Sequence, residues 1–335
     1  MFKKKKLAFI FLLIILFISS ACSNRIPTRD FEIEKGSIDL REINFEKDIV
    51  QLNTKWEFYW KELLEPDEIH LELSKNYINV PGTWNKFSEN KEAYSGDGFG
   101  TYRLRFIVNE DQKLGVKIPR IRSAYRIWIN GEEKSSAGIV AENKKEMKAQ
   151  YQPQVDFFEG QKGENEIVIQ VSNFHQRNGG ILESISLGNE KKILRQRYIS
   201  IGRDIFLFAG LFTISIYNLS FFVFRRQNKS FLYFGALSLL LALRNLLVRE
   251  TMFAFWFPGF SFELAAKIQA LTFYLGVPLF LMLIESIFPG YLKKIVIKTS
   301  KIIGGLFALL VVITRPRLFT SLNIIYQIWS LILLV

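Results

Sequence analysis

The chain has 335 residues, 49% hydrophobic and 15% aromatic, with a formal net charge of +12. Of its 44 Lys and Arg, 4 fall in the run Lys3 to Lys6 and 13 lie from position 201 onward, leaving 27 that face 28 acidic residues in the stretch between; the excess forms no basic surface for nucleic acid. The single cysteine, Cys22, excludes internal disulfides and a cysteine-based zinc cluster, and with only His70 and His175 in the chain no histidine-rich metal site is expected.

Residues 1–22 read as an export signal: the basic run Lys3 to Lys6, an apolar core from Leu7 to Ile18, and small residues ahead of Cys22. A cysteine directly after such a site is similar to a bacterial lipoprotein lipobox, with Cys22 as the lipidated residue. Ser19 departs from that pattern, which has an aliphatic residue three places before the cysteine. Ordinary cleavage nearby and an uncleaved anchor therefore stay open beside lipidation.

From residue 30 to 199 the texture changes to short alternating runs separated by Gly, Pro, Asn and Asp. Lys55 to Trp60, Thr101 to Val108, Ala124 to Ile129 and Glu166 to Val171 alternate with period two and are rich in aromatic and β-branched residues, the pattern of half-buried strands. Asn130-Gly131 is a tight-turn signal directly after the third run. Many strands with no helix between them predict a β-sandwich of about 170 residues. His70 lies in a charged stretch and is read as solvent-exposed.

Residues 203–335 carry five apolar segments, 205–224, 231–248, 264–288, about 295–314 and 318–335, each near the roughly 20 residues that a membrane-crossing helix needs. The fourth reads as the weakest, because Lys298 and Lys301 occupy its first turns. Basic residues favour the first and third turns between segments, with Arg225, Arg226 and Lys229, then Lys293, Lys294, Lys298 and Lys301. By the positive-inside rule those turns face the cytoplasm and the β region lies outside it. The aromatic stretch Met252 to Phe260 in the second turn suits the opposite interface. Arg244, Asn245, Lys267, Gln269 and Glu285 are costly within a bilayer unless paired, facing the bundle interior or near its surface. Glu285 stands next to the lysine-rich third turn, and Pro278 is expected to kink the third helix.

Four phrases of the β region, LNTKWEFYW (Leu52–Trp60), VPGTWN (Val80–Asn85), GFGTYR (Gly98–Arg103) and YRIWING (Tyr125–Gly131), resemble the sugar-binding jelly roll that opens β-galactosidase and β-glucuronidase enzymes. Together with IQVSNFH (Ile169–His175), Gly179-Gly180 and the apolar segments, their order resembles bacterial seven-transmembrane receptors with diverse intracellular signalling modules. The resemblance implies an all-β jelly-roll, galactose-binding-like ectodomain followed by an α-helical transmembrane bundle, of which about five of seven helices are present here. It also implies a cytoplasmic effector domain or partner, expected beyond Val335.

Tryptophans 56, 60, 84 and 128 invite sugar stacking, but Trp56 and Trp128 stand inside alternating strands and read as core. Trp84, after the turn-forming Pro81-Gly82, is kept as a ligand-binding candidate. Asn173, His175, Gln176, Arg177 and Asn178 form the densest polar cluster after a strand and are candidates for reading hydroxyl groups, with a solvated loop as the alternative. No acid and nucleophile phrase for glycoside hydrolysis, no phosphate-binding glycine loop and no zinc-protease phrase is found, so no catalytic residue, metal or cofactor is expected. The leading expectation is a membrane receptor in the bacterial cell envelope. Its jelly roll senses a small extracytoplasmic ligand, with carbohydrate the candidate class, and signals through the bilayer-spanning helices. A membrane-tethered carbohydrate-binding protein or carbohydrate-active enzyme without signalling is the alternative, and a transporter is disfavoured because the intramembrane charges are few.

Overall fold

The computed structural model describes residues 33–69, 76–89, 92–248, 250, 252–257 and 260–334. The expectations for the signal segment, Cys22 and His70 lie outside these residues.

The first half is a β-sandwich. In chain order its strands are β1 (Ile33–Glu34), β2 (Ser37–Asp39), β3 (Ile49–Gln51), β4 (Thr54–Trp60), β5 (Asn76–Val80), β6 (Ser88–Glu89), β7 (Glu92–Ala93), β8 (Gly98–Val108), β9 (Gln112–Ile118), β10 (Ala124–Ile129), β11 (Glu132–Ala137), β12 (Gln154–Gly160), β13 (Gly163–Asn173) and β14 (Ser186–Asn189). One sheet runs β1-β2-β8-β13-β10-β11, with β4 on β8 and β5 on β4; the other runs β12-β9-β14-β3. Pairing is antiparallel except where β2 lies parallel to β8. The spine is β8 against β13, in register from Gly98↔Asn173 to Val108↔Gly163.

Alternation decides what each face buries. Tyr102, Leu104 and Phe106 of β8 and Ile167, Ile169 and Val171 of β13 point inward, and meet Leu114, Val116 and Ile118 of β9 in one core. On the outward face Tyr59, Trp128 and Val168 are covered by Leu64 and Ile69 of the segment after β4. The same face holds Glu57, fully buried between Arg103 and Arg105, while Arg103 Nε donates to Glu166 at 2.5 Å. The hairpin between β10 and β11 turns on Asn130 (φ 49°) and Gly131 (φ 80°), the two positive dihedrals of the tight turn predicted there.

The second half is helical: α1 (Glu190–Phe224), α2 (Lys229–Leu247), α3 (Phe262–Ile287), α4 (Lys294–Ile313) and α5 (Pro316–Leu334), with a short helical turn at Met252–Trp256. Helix α1 continues directly from β14. Asn189 caps it by accepting from the Lys191 amide at 3.0 Å, and Ile193 is buried against Gly115 of β9, which roots the helix in the sandwich. At 1.5 Å per residue its 35 residues span about 50 Å, against a hydrocarbon core of roughly 30 Å, so its first turns stand clear of the bilayer beside the sandwich.

Four helices, α1 to α4, are long and apolar enough to cross a membrane. They include α4, whose lysines cluster in its first turns. The fifth apolar segment of the sequence forms helix α5, described as far as Leu334. Packing relies on small residues: Ser215 Oγ donates to the Gly235 carbonyl at 2.8 Å, and a Cβ on Gly304 would stand 2.9 Å from Pro278 Cγ. Pro278 is thus a buried contact of α3 against α4, and the helix continues through it. Glu285 caps the third turn by accepting from the Gly290 and Leu292 amides at 2.8 and 3.1 Å, instead of pairing with the neighbouring lysines.

Candidate functional site

The phrase VPGTWN, singled out in the sequence, clamps the polar loop after β13. Gly82 N donates to the Ile181 carbonyl at 2.7 Å, and Trp84 N donates to Gly179 O. Asn85 donates to the Arg177 carbonyl and accepts from Gly179 N, both at 3.1 Å. Trp84 itself has no exposed surface. It packs against Phe58 and Trp60 with ring centroids 6.2 and 5.3 Å away, and a Cβ on Gly179 would fall 2.1 Å from its indole. The indole therefore has no free face for a sugar, which removes it from the ligand-contacting set. Trp56 and Trp128 are buried too, as expected.

Asn173 is likewise scaffolding. Its Nδ2 donates to Gly96 O and Gln176 O at 2.8 and 2.9 Å, and its Oδ1 accepts from Ser123 Oγ and Gln176 N, so all its hydrogen-bonding capacity is spent inside the loop. The result is a fixed platform that carries His175, Gln176, Arg177 and Asn178 toward the helices.

These four divide between two spaces where the sandwich meets the helix ends. Gln176, Arg177 and Asn178 line a cavity of about 290 Å³, together with Arg120 and Arg122 of the β9–β10 connection, Tyr151 before β12, Arg244 at the end of α2, Gln269 and Phe273 of α3, and Asn323 and Gln327 of α5. Arg120 and Arg122 flank the buried Ile121, and alternation on an extended segment turns both to one side. The Arg120 guanidinium lies over the Tyr151 ring at 4.5 Å, and that ring meets the edge of Phe262 at 4.7 Å. Burial raises the Tyr151 hydroxyl above its ordinary pKa, while Arg120 and Arg122 act against the rise. Arg244 donates to the Gln269 carbonyl at 3.2 Å.

His175 faces the adjoining groove with Lys144, Glu263, Arg315 and Arg317, its ring 5.9 Å from that of Phe262. Burial first, then the Lys144 charge, holds its imidazole below the ordinary pKa. Around both spaces the two halves are clasped by ion pairs from Lys117 to Glu250 and from Arg317 to Asp97, and by Arg177 Nη1 donating to the Ser321 carbonyl at 3.3 Å. Sequence reasoning brought Gln176 and Arg177 to the cavity and missed Arg120, Arg122 and Tyr151, which no local pattern links. Arg244 and Gln269 were visible only as polar residues too costly for a bilayer. Among the described residues no group of three His, Cys, Asp or Glu side chains is placed to hold a metal ion.

The sandwich is seated on the ends of membrane-capable helices, with a cavity at the joint. Residues 203–335 match the family described as 7TM diverse intracellular signalling, and this match, the preceding sandwich and the four apolar helices fit a seven-helix receptor of that class. No curated protein sequence matches the chain. Among solved structures, 42% of the chain is similar to 24% of a GH2 β-galacturonidase from Eisenbergiella tayi at 14% identity and a TM-score of 0.31. The same share is similar to 28% of a β-glucuronidase from Ruminococcus gnavus, at 14% identity and 0.32. A β-glucuronidase from an uncultured Clostridium sp. aligns over 43% of this chain and 29% of its own, at 18% identity and 0.33. The chain thus spans about a quarter of the length of these enzymes.

Proposed function

We propose that the sandwich senses a small extracytoplasmic ligand, carbohydrate being the class named by its sequence phrases, and that the helices relay occupancy to a cytoplasmic effector domain or partner. The observation that carries this reading is the shared lining of the joint cavity. Gln176 and Arg177 come from the sandwich, while Arg244, Gln269 and Asn323 come from three different helices, so one occupant touches both halves at once. A ligand shifts a conformational equilibrium only by its differential affinity for the two arrangements, and contacts spread over four elements are where such a difference arises. The volume, near the lower end of small-molecule sites, suits a monosaccharide-sized compound.

The turns holding Arg225, Arg226 and Lys229 and holding Lys293 and Lys294 lie at the bundle end remote from the sandwich. The positive-inside rule then puts the sandwich outside the cytoplasm. Ligand binding proceeds without turnover, since no acid and nucleophile phrase accompanies the sugar-binding resemblance.

The test is calorimetry of the chain in lipid nanodiscs against a panel of monosaccharides, oligosaccharides and other small envelope-derived molecules. Any hit is repeated with Gln176→Ala and Arg177→Ala. Each removed donor should weaken binding by about 1–3 kcal/mol, roughly fivefold to more than a hundredfold. Unchanged affinity in both variants moves the site elsewhere, and turnover of a glycoside defeats the non-enzymatic reading.

A further inference from the structure

The charge of the joint cavity narrows the ligand. Four arginines, Arg120, Arg122, Arg177 and Arg244, line about 290 Å³, and no Asp or Glu among the described residues joins them. Glu183 acts on nearby Tyr151 but lies outside the lining. None of the four arginines makes an ion pair with a described residue, and Arg120 Nη1 is buried with no hydrogen-bond partner. Arg103 shows what this fold does when an arginine is buried for structure: it stands between two carboxylates, Glu57 and Glu166.

Guanidinium groups gathered without counter-charge repel one another, and the part-buried Arg120, Arg122 and Arg244 also lose hydration, a cost that a bound anion reverses. A guanidinium presents its donors as a planar fork that matches two oxygens of a carboxylate, phosphate or sulfate. Around the arginines, the amides of Gln176, Asn178, Gln269 and Asn323 supply donors and acceptors for hydroxyl groups.

We propose that this cavity binds an oxyanion, so that the molecule sensed is a small carboxylate, phosphate or sulfate compound. The signalling consequence rests on the receptor reading above, whereas the binding does not. The oxyanion has two possible sources, a soluble compound or the phosphate of a lipid head group reached from the membrane end of the cavity, where Arg244 stands.

The experiment uses the chain in phosphatidylcholine nanodiscs at constant ionic strength. Thermal protection is measured with inorganic phosphate, glucuronate, glucose 6-phosphate and, as the uncharged match, glucose, and is repeated in discs containing phosphatidylglycerol. The anionic probes should protect where glucose does not. Arg120→Gln and Arg244→Gln should each weaken that protection by roughly tenfold to a hundredfold, while Arg126→Gln, on the far sheet surface, leaves it unchanged. A cooperative melt and a native β signal by circular dichroism verify that each variant is folded. If phosphatidylglycerol protects by itself and competes with phosphate, and the same two variants abolish both effects, the proposal stands with lipid as the source. If phosphatidylglycerol has no effect, the source is soluble.

Protection by glucose equal to that by glucose 6-phosphate, and indifferent to both substitutions, overturns the oxyanion proposal and leaves ligand sensing standing. No protection by any anion overturns it as well. Anion binding that leaves the distance between sandwich and helix ends unchanged, read by spin labels, upholds the oxyanion site and defeats the receptor reading instead.

Discussion

Gly179 shows how one backbone atom positions the candidate site. Any Cβ there enters the Trp84 indole, whose other neighbours, Phe58 and Trp60, are themselves packed in the sandwich. Gly179→Ala should therefore destabilise the sandwich by about 1–3 kcal/mol, as overpacking does, and loosen the platform that carries Gln176 and Arg177. Thermal unfolding followed by tryptophan fluorescence reads the first effect. An unchanged midpoint would mean that Trp84 has room to move. The phrase VPGTWN and the polar run after Ile169 were both legible in the sequence, but their mutual contact was not, because the two lie about 90 residues apart. For the same reason Trp84 and Asn173 read as ligand contacts in the sequence, whereas in the structure both are buried and brace the polar loop after β13 from behind. Arg177 and Arg244 each stood out locally, but their grouping with Arg120 and Arg122 was not legible, because they lie in separate parts of the sequence.

Strands and membrane helices were the most legible part, because period-two alternation and unbroken apolar length are local signals. Ala124 to Ile129 was read as a strand and is β10. Lysines in the first turns of α4 leave its apolar run long enough to cross a membrane, because their stems reach the surface. Ile193 is buried under Gly115, so a fragment of residues 30–197 keeps the first turn of α1 that seals the sandwich. That fragment should express as a soluble domain with a β-type circular dichroism spectrum, and a disordered or mainly helical spectrum would contradict this.

His175 gives the joint a pH dependence. Its folded-state pKa lies below the ordinary value of 6.5 because burial and Lys144 disfavour the imidazolium, with Arg315 adding to the depression and Asp97 and Glu263 opposing it. The unfolded chain therefore takes up the proton first as pH falls, and stability is lost on acidification below about 6.5. The fall in melting temperature between pH 7.5 and 5.5 should be smaller in His175→Gln than in the unaltered chain. An equal or larger fall would assign the acid sensitivity elsewhere.

At the scale of the whole molecule, the sandwich is tied to the bundle in series and in parallel. Strand β14 runs straight into α1, and the Lys117–Glu250 and Arg317–Asp97 ion pairs hold the rim against the later helix ends. The proposed orientation rests on the basic turns at the remote end. A reporter enzyme fused after Lys229 should be active only in the cytoplasm and one fused after Trp256 only outside it, and the reverse at both positions would invert the topology.

The central claim is that an occupant of the joint cavity changes how the sandwich sits on the helices. It is tested most directly by spin labels at Glu110, on the exposed rim of the sandwich, and Asn228, in the remote first turn, with distances measured by pulsed electron resonance in nanodiscs. Saturating glucose 6-phosphate should shift population between two distance peaks in the otherwise unaltered chain and not in Arg244→Gln. Superimposable distributions with and without the compound, under conditions where calorimetry shows it bound, would contradict the account.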